Sequence, residues 1–185
     1  MVKTRDIFAK FTPSEVAHIT GISTALQRDW RRRGLLEKKN EGWSQFDLDD
    51  VVRLSVAGLL IEHGIAARFA LDAAVAPHIQ FLTMIGERST EFDPELPESL
   101  KTTWARKIPQ RVKKRFRRFY IYARNFHEFP RNVTITDNLN KIFDGWREEG
   151  IDAGAAIVID LESLADRIVD RAGRPLMRVE LVDDD

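Results

Sequence analysis

Residues 11–65 carry closely spaced signals for helix starts and stops, and these signals constrain the fold more than any other part of the chain. Thr12 and Glu15 form the pattern of a capping box, with Pro13 between them at the first helical position. Gly21 predicts the end of this short helix. The segment therefore predicts a helix, a tight turn, a basic helix, a short hairpin and a further helix, an order that suits contact with a DNA groove.

The second helix of the segment carries the strongest candidate for a ligand-facing surface. Ser23 can cap its start, and Gly34 occupies the position where a left-handed residue ends a helix. At 3.6 residues per turn, Ile22, Leu26 and Trp30 fall on one side, which we predict to be core. The side chains predicted to project from another side and to meet a ligand are Thr24, Gln27, Arg28 and Arg31.

The charge of this helix and of the residues after it indicates a polyanionic ligand. Residues 23–39 hold six cations against two acids, and Arg32, Lys38 and Lys39 extend the basic surface beyond the exposed set. Gln27 and Arg28 can also make bidentate hydrogen bonds to adenine and guanine edges. Because the three consecutive arginines of the helix point in three directions, they cannot all contact DNA.

The chain after the second helix predicts a hairpin wing followed by a buried helix. Residues 38–42 suit a polar hairpin tip, and Trp43 and Phe46 add aromatic weight to the second arm. Asp47 can cap a third helix, whose apolar residues cover more than one narrow stripe. We therefore predict that this third helix is buried on more than one side.

These elements together resemble the winged-helix DNA-binding domain of the MerR family. That family usually shows a Val-Ala-x-x-x-Gly-Val-Ser start, an arginine-containing second helix that ends in Gly-Leu-Leu, and an aromatic-rich wing. The corresponding segments are residues 16–23 (VAHITGIS), 28–36 (RDWRRRGLL) and 42–46 (GWSQF). The resemblance implies a winged helix-turn-helix fold and DNA binding for this part of the chain.

The resemblance also implies roles for individual residues. Arg28 and Trp30 correspond to positions that contact or brace the DNA backbone, although an aromatic residue at this spacing also fits a core position. Trp43 and Ser44 belong to a wing that grips a neighbouring phosphate, and Ser44 stands where the family often has arginine. Counted without a gap, Gln27 stands where the family commonly has an apolar residue, whereas a shift of one residue would place a leucine there.

Whole-chain composition limits the function classes. The formal net charge is +0, so affinity for nucleic acid must come from segregated charge rather than from total charge. The absence of cysteine excludes disulfides and thiolate-based metal or redox sensing. The first residues lack an apolar signal region and no apolar run could span a bilayer, so we expect a cytoplasmic protein without a membrane partner.

The segment that follows the third helix is less specific. Residues 66–76 are rich in alanine, and in the resembled family this region begins the dimerisation helix. Residues 78–85 alternate in a way that fits a strand but could also continue the helix, and the strand is favoured because Pro77 precedes the segment and Gly86 follows it. Residues 87–98 are acidic and predict a surface loop. Residues 101–118 hold nine cations and no acid, which fits either a second phosphate-contacting surface or a solvated helix face paired with that loop.

The remainder of the chain predicts a small α/β unit. Residues 119–123 are strand-like, and helical spacing follows a Thr136 cap. Residues 155–159 predict another strand, an amphipathic helix follows Asp160, and residues 177–181 alternate as a final strand.

Patterns typical of catalysis are absent from the sequence. It contains no phosphate-binding glycine loop, nucleophile elbow or His-Glu-x-x-His motif. Its histidines lack the spacing of metal ligands, and they are His18, His63, His78 and His127. We therefore expect no enzyme activity, catalytic residue, bound metal or cofactor.

The sequence predicts an α+β protein, with a MerR-like winged helix-turn-helix domain at residues 1–76 and a small α/β domain at residues 77–185. The predicted function is sequence-specific transcriptional regulation by a homodimer that binds double-stranded DNA on a two-fold-related site, and the C-terminal domain is a candidate for binding a protein partner. One alternative is a protein-interaction module, such as a phage or toxin-system regulator, in which the winged helix is a docking platform. Another is an excisionase-like architectural protein that bends DNA.

Overall fold

The computed structural model describes residues 3–37, 45–123, 133–150 and 154–182. Within these ranges the chain forms eight helices and two three-stranded sheets. A helix-rich N-terminal region is followed by a region of sheets and helices, so the predicted α+β class is confirmed. None of the helices in these ranges is long and apolar enough to cross a membrane.

Three capped helices form the N-terminal region. Thr12 caps the first helix, and its hydroxyl and amide exchange hydrogen bonds with Glu15 in the predicted capping box. Ser23 and Asp47 cap the second and third helices, also as predicted. These helices are α1 (Pro13–Thr20), α2 (Thr24–Arg32) and α3 (Leu48–Glu62).

Helix α3 lies at the centre of the core. Burial extends around most of its circumference, so the prediction of burial on more than one side is confirmed. Gly58 lies where α3 packs against the end of α1, and a Cβ atom at this position would be in van der Waals contact with the carbonyl oxygen of Thr20, at 3.4 Å. The apolar residues of α3 with no more than 1% exposure are Leu48, Val51, Val52, Leu54, Val56, Ala57 and Leu60.

Two predictions for the segment after α3 are wrong. Residues 78–85 were predicted as a strand but lie in a helix, because the buried positions Phe81, Met84 and Ile85 follow helical spacing rather than alternation. The predicted loop at 87–98 contains a short strand. The elements of this segment are α4 (Ala67–Ala73), α5 (His78–Arg88), β2 (Thr90–Phe92) and α6 (Glu98–Arg115).

The C-terminal region contains the predicted strands and helices, but one cap differs and residues 133–136 form a strand that was not predicted. Asn138, rather than Thr136, caps the first of its helices, and the Thr136 hydroxyl instead accepts a hydrogen bond from the Asn138 amide. Asp160 caps the second helix as predicted. The elements are β3 (Phe119–Ala123), β4 (Val133–Thr136), α7 (Leu139–Glu148), β5 (Ala156–Asp160), α8 (Leu161–Ala172) and β6 (Met177–Val182).

The two sheets differ in how far apart their strands lie in the sequence. The first sheet has the order β4-β3-β5, with both pairings antiparallel. The second has the order β1-β6-β2, where β1 (Lys3–Phe8) runs antiparallel to β6 and β2 runs parallel to it. Strand β1 was not predicted, and through it the first residues of the chain join the sheet of the last strand.

Helix α8 ties the C-terminal region to the helix-turn-helix. Arg171 donates a hydrogen bond to the carbonyl oxygen of Ile19 at 3.0 Å, at the end of α1. Arg174 donates to the carbonyl oxygen of Lys10 at 2.7 Å and to the Glu15 carboxylate at 3.0 Å. One apolar core includes buried residues of both regions. The C-terminal region therefore contacts α1 near both ends of that helix.

The basic run at 101–118 lies on α6 and the turn after it. Lys101 pairs with Glu98 at 3.8 Å, while Arg117 pairs with Asp137 at 3.3 Å, which is outside the acidic segment at 87–98. The side chains of residues 107–115 lie outside the description, so both interpretations of this run stay predictions.

Candidate nucleic-acid interface

Helix α2 packs on the rest of the N-terminal region through a buried face of mixed character. The Trp30 side chain is only 2% exposed, which confirms the interpretation of this residue as core. Gln27 lies one turn earlier on the same face and is fully buried, at 0% exposure. An i, i+3 pair of this kind fixes the rotation of the helix about its axis. The opposite face of α2 is consequently the face that meets solvent.

The burial of Gln27 corrects a prediction from the sequence. This residue was predicted to project toward DNA, but its Nε2 atom donates to the carbonyl oxygens of Pro13 at 3.0 Å and Ile22 at 2.8 Å. A buried amide that satisfies two backbone carbonyls joins the start of α1 to the turn before α2. Gln27 therefore has a structural role in this position. Its burial agrees with the alignment without a gap, in which Gln27 stands where the family commonly has an apolar residue.

Leu26 was predicted as core and is instead 38% exposed. Its neighbour Ala25 is also exposed, and Thr24 is half-buried. With Gln27 and Trp30 inside, successive steps of 100° direct Ala25 and its neighbours one turn later outward. Leu26 stands one turn before Trp30, so it lies at the edge of the buried face and is covered only in part.

Arg28 is the cation most available to a ligand on this face. It is exposed, and its Nε atom donates to the carbonyl oxygen of Thr24 within the same helix at 3.3 Å. No carboxylate within the described ranges forms an ion pair with it. Arg32 and Arg33 are also exposed but share the carboxylate of Asp29, at 2.5 and 3.5 Å. Since α2 and Arg33 carry four arginines against one aspartate, this surface is positively charged.

Arg31 lies on the flank of α2 and faces the protein. Its guanidinium carbon sits 4.5 Å from the centre of the Phe46 ring, in cation–π geometry. Burial lowers the pKa of Arg31, and the charge of Asp50 opposes this shift. Phe46 is itself held by two backbone hydrogen bonds of 2.8 Å with Phe11. Arg31 is therefore placed to brace Phe46, which was predicted to belong to the second arm of the wing.

The end of α2 is built as the sequence predicts. Gly34 adopts a left-handed conformation with φ of +74°, and the Leu35 amide donates to the carbonyl oxygen of Trp30 at 2.8 Å. The predicted wing contacts lie outside the described residues and stay predictions. They are Lys38, Lys39, Trp43 and Ser44.

The geometry defines a helix-turn-helix region whose second helix is basic and exposed. Residues 11–68 match a family model described as MerR HTH family regulatory protein. This region is a MerR-type helix-turn-helix, in agreement with the resemblance of residues 11–65. No curated protein matches the chain. The matched family is regulatory rather than enzymatic, and the match supports a DNA-binding transcription regulator.

Proposed function

We propose that this protein is a sequence-specific transcriptional regulator that binds double-stranded DNA as a homodimer on a two-fold-related site. The observation that carries the proposal is the arrangement of α2. Arg28 is exposed and has no carboxylate partner among the described residues, while Gln27 and Trp30 hold the opposite face in the core. A basic helix presented in this way is the element that a helix-turn-helix protein inserts into the major groove.

The chemistry of the exposed face suits both parts of a DNA duplex. Arg28 can make two hydrogen bonds to the edge of a guanine or one contact to a phosphate. Arg32 and Arg33, which share one aspartate, retain net positive charge for the backbone. Thr24 on the flank of the helix can reach a base or a phosphate oxygen. The wing residues at 38–44 would add contacts to a neighbouring phosphate.

The small size of this surface supports the proposed dimerisation. One nine-residue helix offers few base contacts, and two copies on a two-fold site would double them. We assign DNA contact to residues 1–76 and dimerisation or partner binding to residues 77–185. This is a division of roles and not of separate structures, because β1 pairs with β6 and α8 contacts α1.

The proposal is tested by selection of bound fragments from the source genome with the full-length protein, followed by gel-shift titration. The full chain is used because Arg171 and Arg174 of the C-terminal region hold the backbone around α1. The expected result is a saturable shift with at least about 10³-fold preference over a scrambled fragment. No shift at low salt would refute the proposal and favour the docking platform. Several adjacent copies on one site would favour the architectural, excisionase-like alternative.

A further inference from the structure

We propose that strand β5 is the dimerisation surface of this protein, and that it pairs antiparallel with β5 of a second copy of the chain across a two-fold axis. The inference deepens the proposed function and rests on it, because it names the surface through which the homodimer on DNA would form. The sheet of order β4-β3-β5 would then continue from one subunit into the other.

The outer side of β5 is an open sheet edge. Among the described residues, β5 pairs with β3 on one side and with no strand on the other. The Leu161 amide donates to the carbonyl oxygen of Arg118 at 2.9 Å, so these opposite residues form a hydrogen-bonded pair that continues the register of β3 and β5. Hydrogen-bonded and non-hydrogen-bonded pairs alternate along an antiparallel ladder, which makes Val158 and Ile121 a non-hydrogen-bonded pair. The amide and carbonyl groups of Val158 therefore point away from β3 and toward the open edge.

This edge lacks the features that commonly prevent strand pairing. Lysine, proline and bulges protect the edge strands of many proteins, whereas β5 has the sequence AIVID, without lysine or proline. Its register with β3 runs without a bulge over all 5 residues. The side chain of Val158, at the middle of the strand, is 41% exposed. A regular, apolar and exposed edge of this kind is a template for a further strand.

A groove of about 360 Å³ lies beside β5, where the strand meets the end of α3 and helix α8. Leu59 and Leu164 line it with apolar side chains. Ile157 and Ile159 also line the groove, and both pack toward the core. Opposite residues of paired strands place their side chains on the same face of a sheet. The two isoleucines of an added β5 would therefore enter this groove, while Val158 of each copy would meet on the other face.

The backbone pattern of β5 is complementary to itself. In an antiparallel pair centred on Val158, the two copies of this residue would exchange backbone hydrogen bonds with each other, as their outward-pointing groups require. Ile157 of each copy would lie opposite Ile159 of the other, so that apolar side chains meet on both sides of the axis. A second β5 therefore matches both the hydrogen-bonding groups and the side chains of this edge.

Charge also favours a second copy as the occupant. Arg167 is half-buried at the groove, and it forms no hydrogen bond or ion pair with any residue of the described ranges. It lies roughly 10 Å along α8 from the end of β5 and lines the groove together with Ile157, near the start of the strand.

The opposite end of β5 carries the complementary charge. Three acidic side chains share two arginines there, so the cluster has more negative than positive charge. Its members are Asp160, Glu162, Asp166, Arg88 and Arg118. Antiparallel pairing brings this end of one β5 to the start of the other, and so brings the acidic cluster of each copy toward Arg167 of its partner.

The test combines sedimentation equilibrium of the full-length protein with hydrogen exchange of its backbone amides. Sedimentation should show a monomer–dimer equilibrium. The Val158 amide should exchange slowly in the dimer, and its protection should fall as the protein is diluted. The amides of Ile157 and Ile159 donate toward β3, so they should stay protected at every concentration.

Substitutions of Val158 separate the edge from the rest of the sheet. Val158→Pro removes the central amide of the interface without removing a hydrogen bond to β3, and it should weaken the dimer about tenfold or more. Val158→Lys keeps the amide but places two positive charges opposite each other, so it should weaken the dimer as well. Val158→Thr is the matched control, because it keeps the amide and the branched side chain, and it should dimerise as wild type does. Thermal unfolding checks that each variant is folded.

Two results would overturn the inference. One is a dimer that persists in both Val158→Pro and Val158→Lys, and the other is a wild-type Val158 amide that exchanges equally fast at every concentration. Selective DNA binding by the wild-type protein would in either case leave the proposed regulator standing, with its dimer formed through another surface. A wild-type dimer that shows the expected protection but binds no DNA fragment selectively would overturn the proposed function and leave the β5 interface in place.

Discussion

The burial of Gln27 leads to a prediction that separates stability from DNA binding within one helix. Gln27→Ala should destabilise the protein, although the sequence pattern assigns this residue to the DNA-facing set. Arg28→Ala, at the adjacent position, should leave stability within about 0.5 kcal/mol of wild type, because it is an exposed surface change. Gln27→Ala should therefore lower the stability of the protein, whereas Arg28→Ala should lower its affinity for DNA.

The size of the Gln27 effect follows from its contacts. Alanine removes one buried methylene, worth about 0.8 kcal/mol, and a carboxamide that makes two neutral hydrogen bonds, worth about 1 kcal/mol each. The Oε1 atom is buried without a hydrogen-bond partner in the described part of the chain, so its removal returns about 1–2 kcal/mol. The expected net loss in the free energy of unfolding is about 1–2 kcal/mol.

Gln27→Glu sharpens the test at nearly constant volume. An ionised carboxylate cannot donate to the carbonyl oxygens of Pro13 and Ile22, and it would bury a charge, so we expect a loss of more than about 3 kcal/mol. The assay is urea unfolding followed by circular dichroism, with the midpoints compared at equal m-values. The reasoning would be refuted if Gln27→Ala were as stable as wild type and lost DNA affinity to the same extent as Arg28→Ala.

Two further substitutions test the core and the C-terminal region by the same unfolding assay. Gly58→Ala should be tolerated, because its Cβ would stand 3.4 Å from the Thr20 carbonyl oxygen. Gly58→Leu should lower the free energy of unfolding by at least about 1–3 kcal/mol, because the larger side chain would overpack the contact between α1 and α3. Equal stability of the two variants would contradict this packing. The hydrogen bond from Arg118, at 2.7 Å, is the main cause that lowers the pKa of Asp160. A carboxyl group with a lowered folded-state pKa stabilises above its unfolded value of about 3.9 and loses that contribution as pH falls through the folded value. Asp160→Asn keeps a good helix cap but loses the ion pair with Arg118. Wild type should therefore be more stable than this variant by about 1 kcal/mol above pH ~5, and the difference in stability should narrow in acid. A difference that does not change with pH would contradict the ion-pair explanation.

Local signals in the sequence were sufficient to predict the helix boundaries of the N-terminal region. The caps at Thr12, Ser23 and Asp47 were all identified correctly, as was the helix stop at Gly34. Each depends on hydrogen bonds or backbone angles within a few residues, so its physical cause is contained in a short stretch of chain.

The face of α2 could not be predicted in the same way. Helical spacing allows either Leu26 or Gln27 to be buried with Trp30, and polarity alone favours the leucine. The choice changes only when the backbone carbonyl groups near Gln27 are considered. The carbonyl oxygens of Pro13 and Ile22 accept hydrogen bonds from Nε2 of Gln27, and their positions depend on how α1 meets the turn. The sequence did contain one signal for the burial of Gln27. Counted without a gap, this residue stands where the resembled family commonly has an apolar residue.

Long-range pairing explains the other differences. Strand β1 has a mostly polar sequence and pairs with β6 at the other end of the chain, so no local pattern identifies it. Residues 78–85 alternate as a strand would, yet they pack as a helix because Phe81, Met84 and Ile85 meet the core together. An eight-residue apolar segment is too short for periodicity to decide between the two structures.

The central claim, that α2 contacts DNA through Arg28, is tested most directly by the salt dependence of binding to a selected fragment for wild type, Arg28→Ala and the matched control Arg147→Ala. If Arg28 contacts a phosphate, the slope of log K against log salt should fall by about 1. If Arg28 reads a base, specific affinity should fall by about 1–3 kcal/mol and selectivity should relax at one position. Arg147→Ala should match wild type in both respects. Unchanged affinity together with an unchanged slope in Arg28→Ala would contradict the claim.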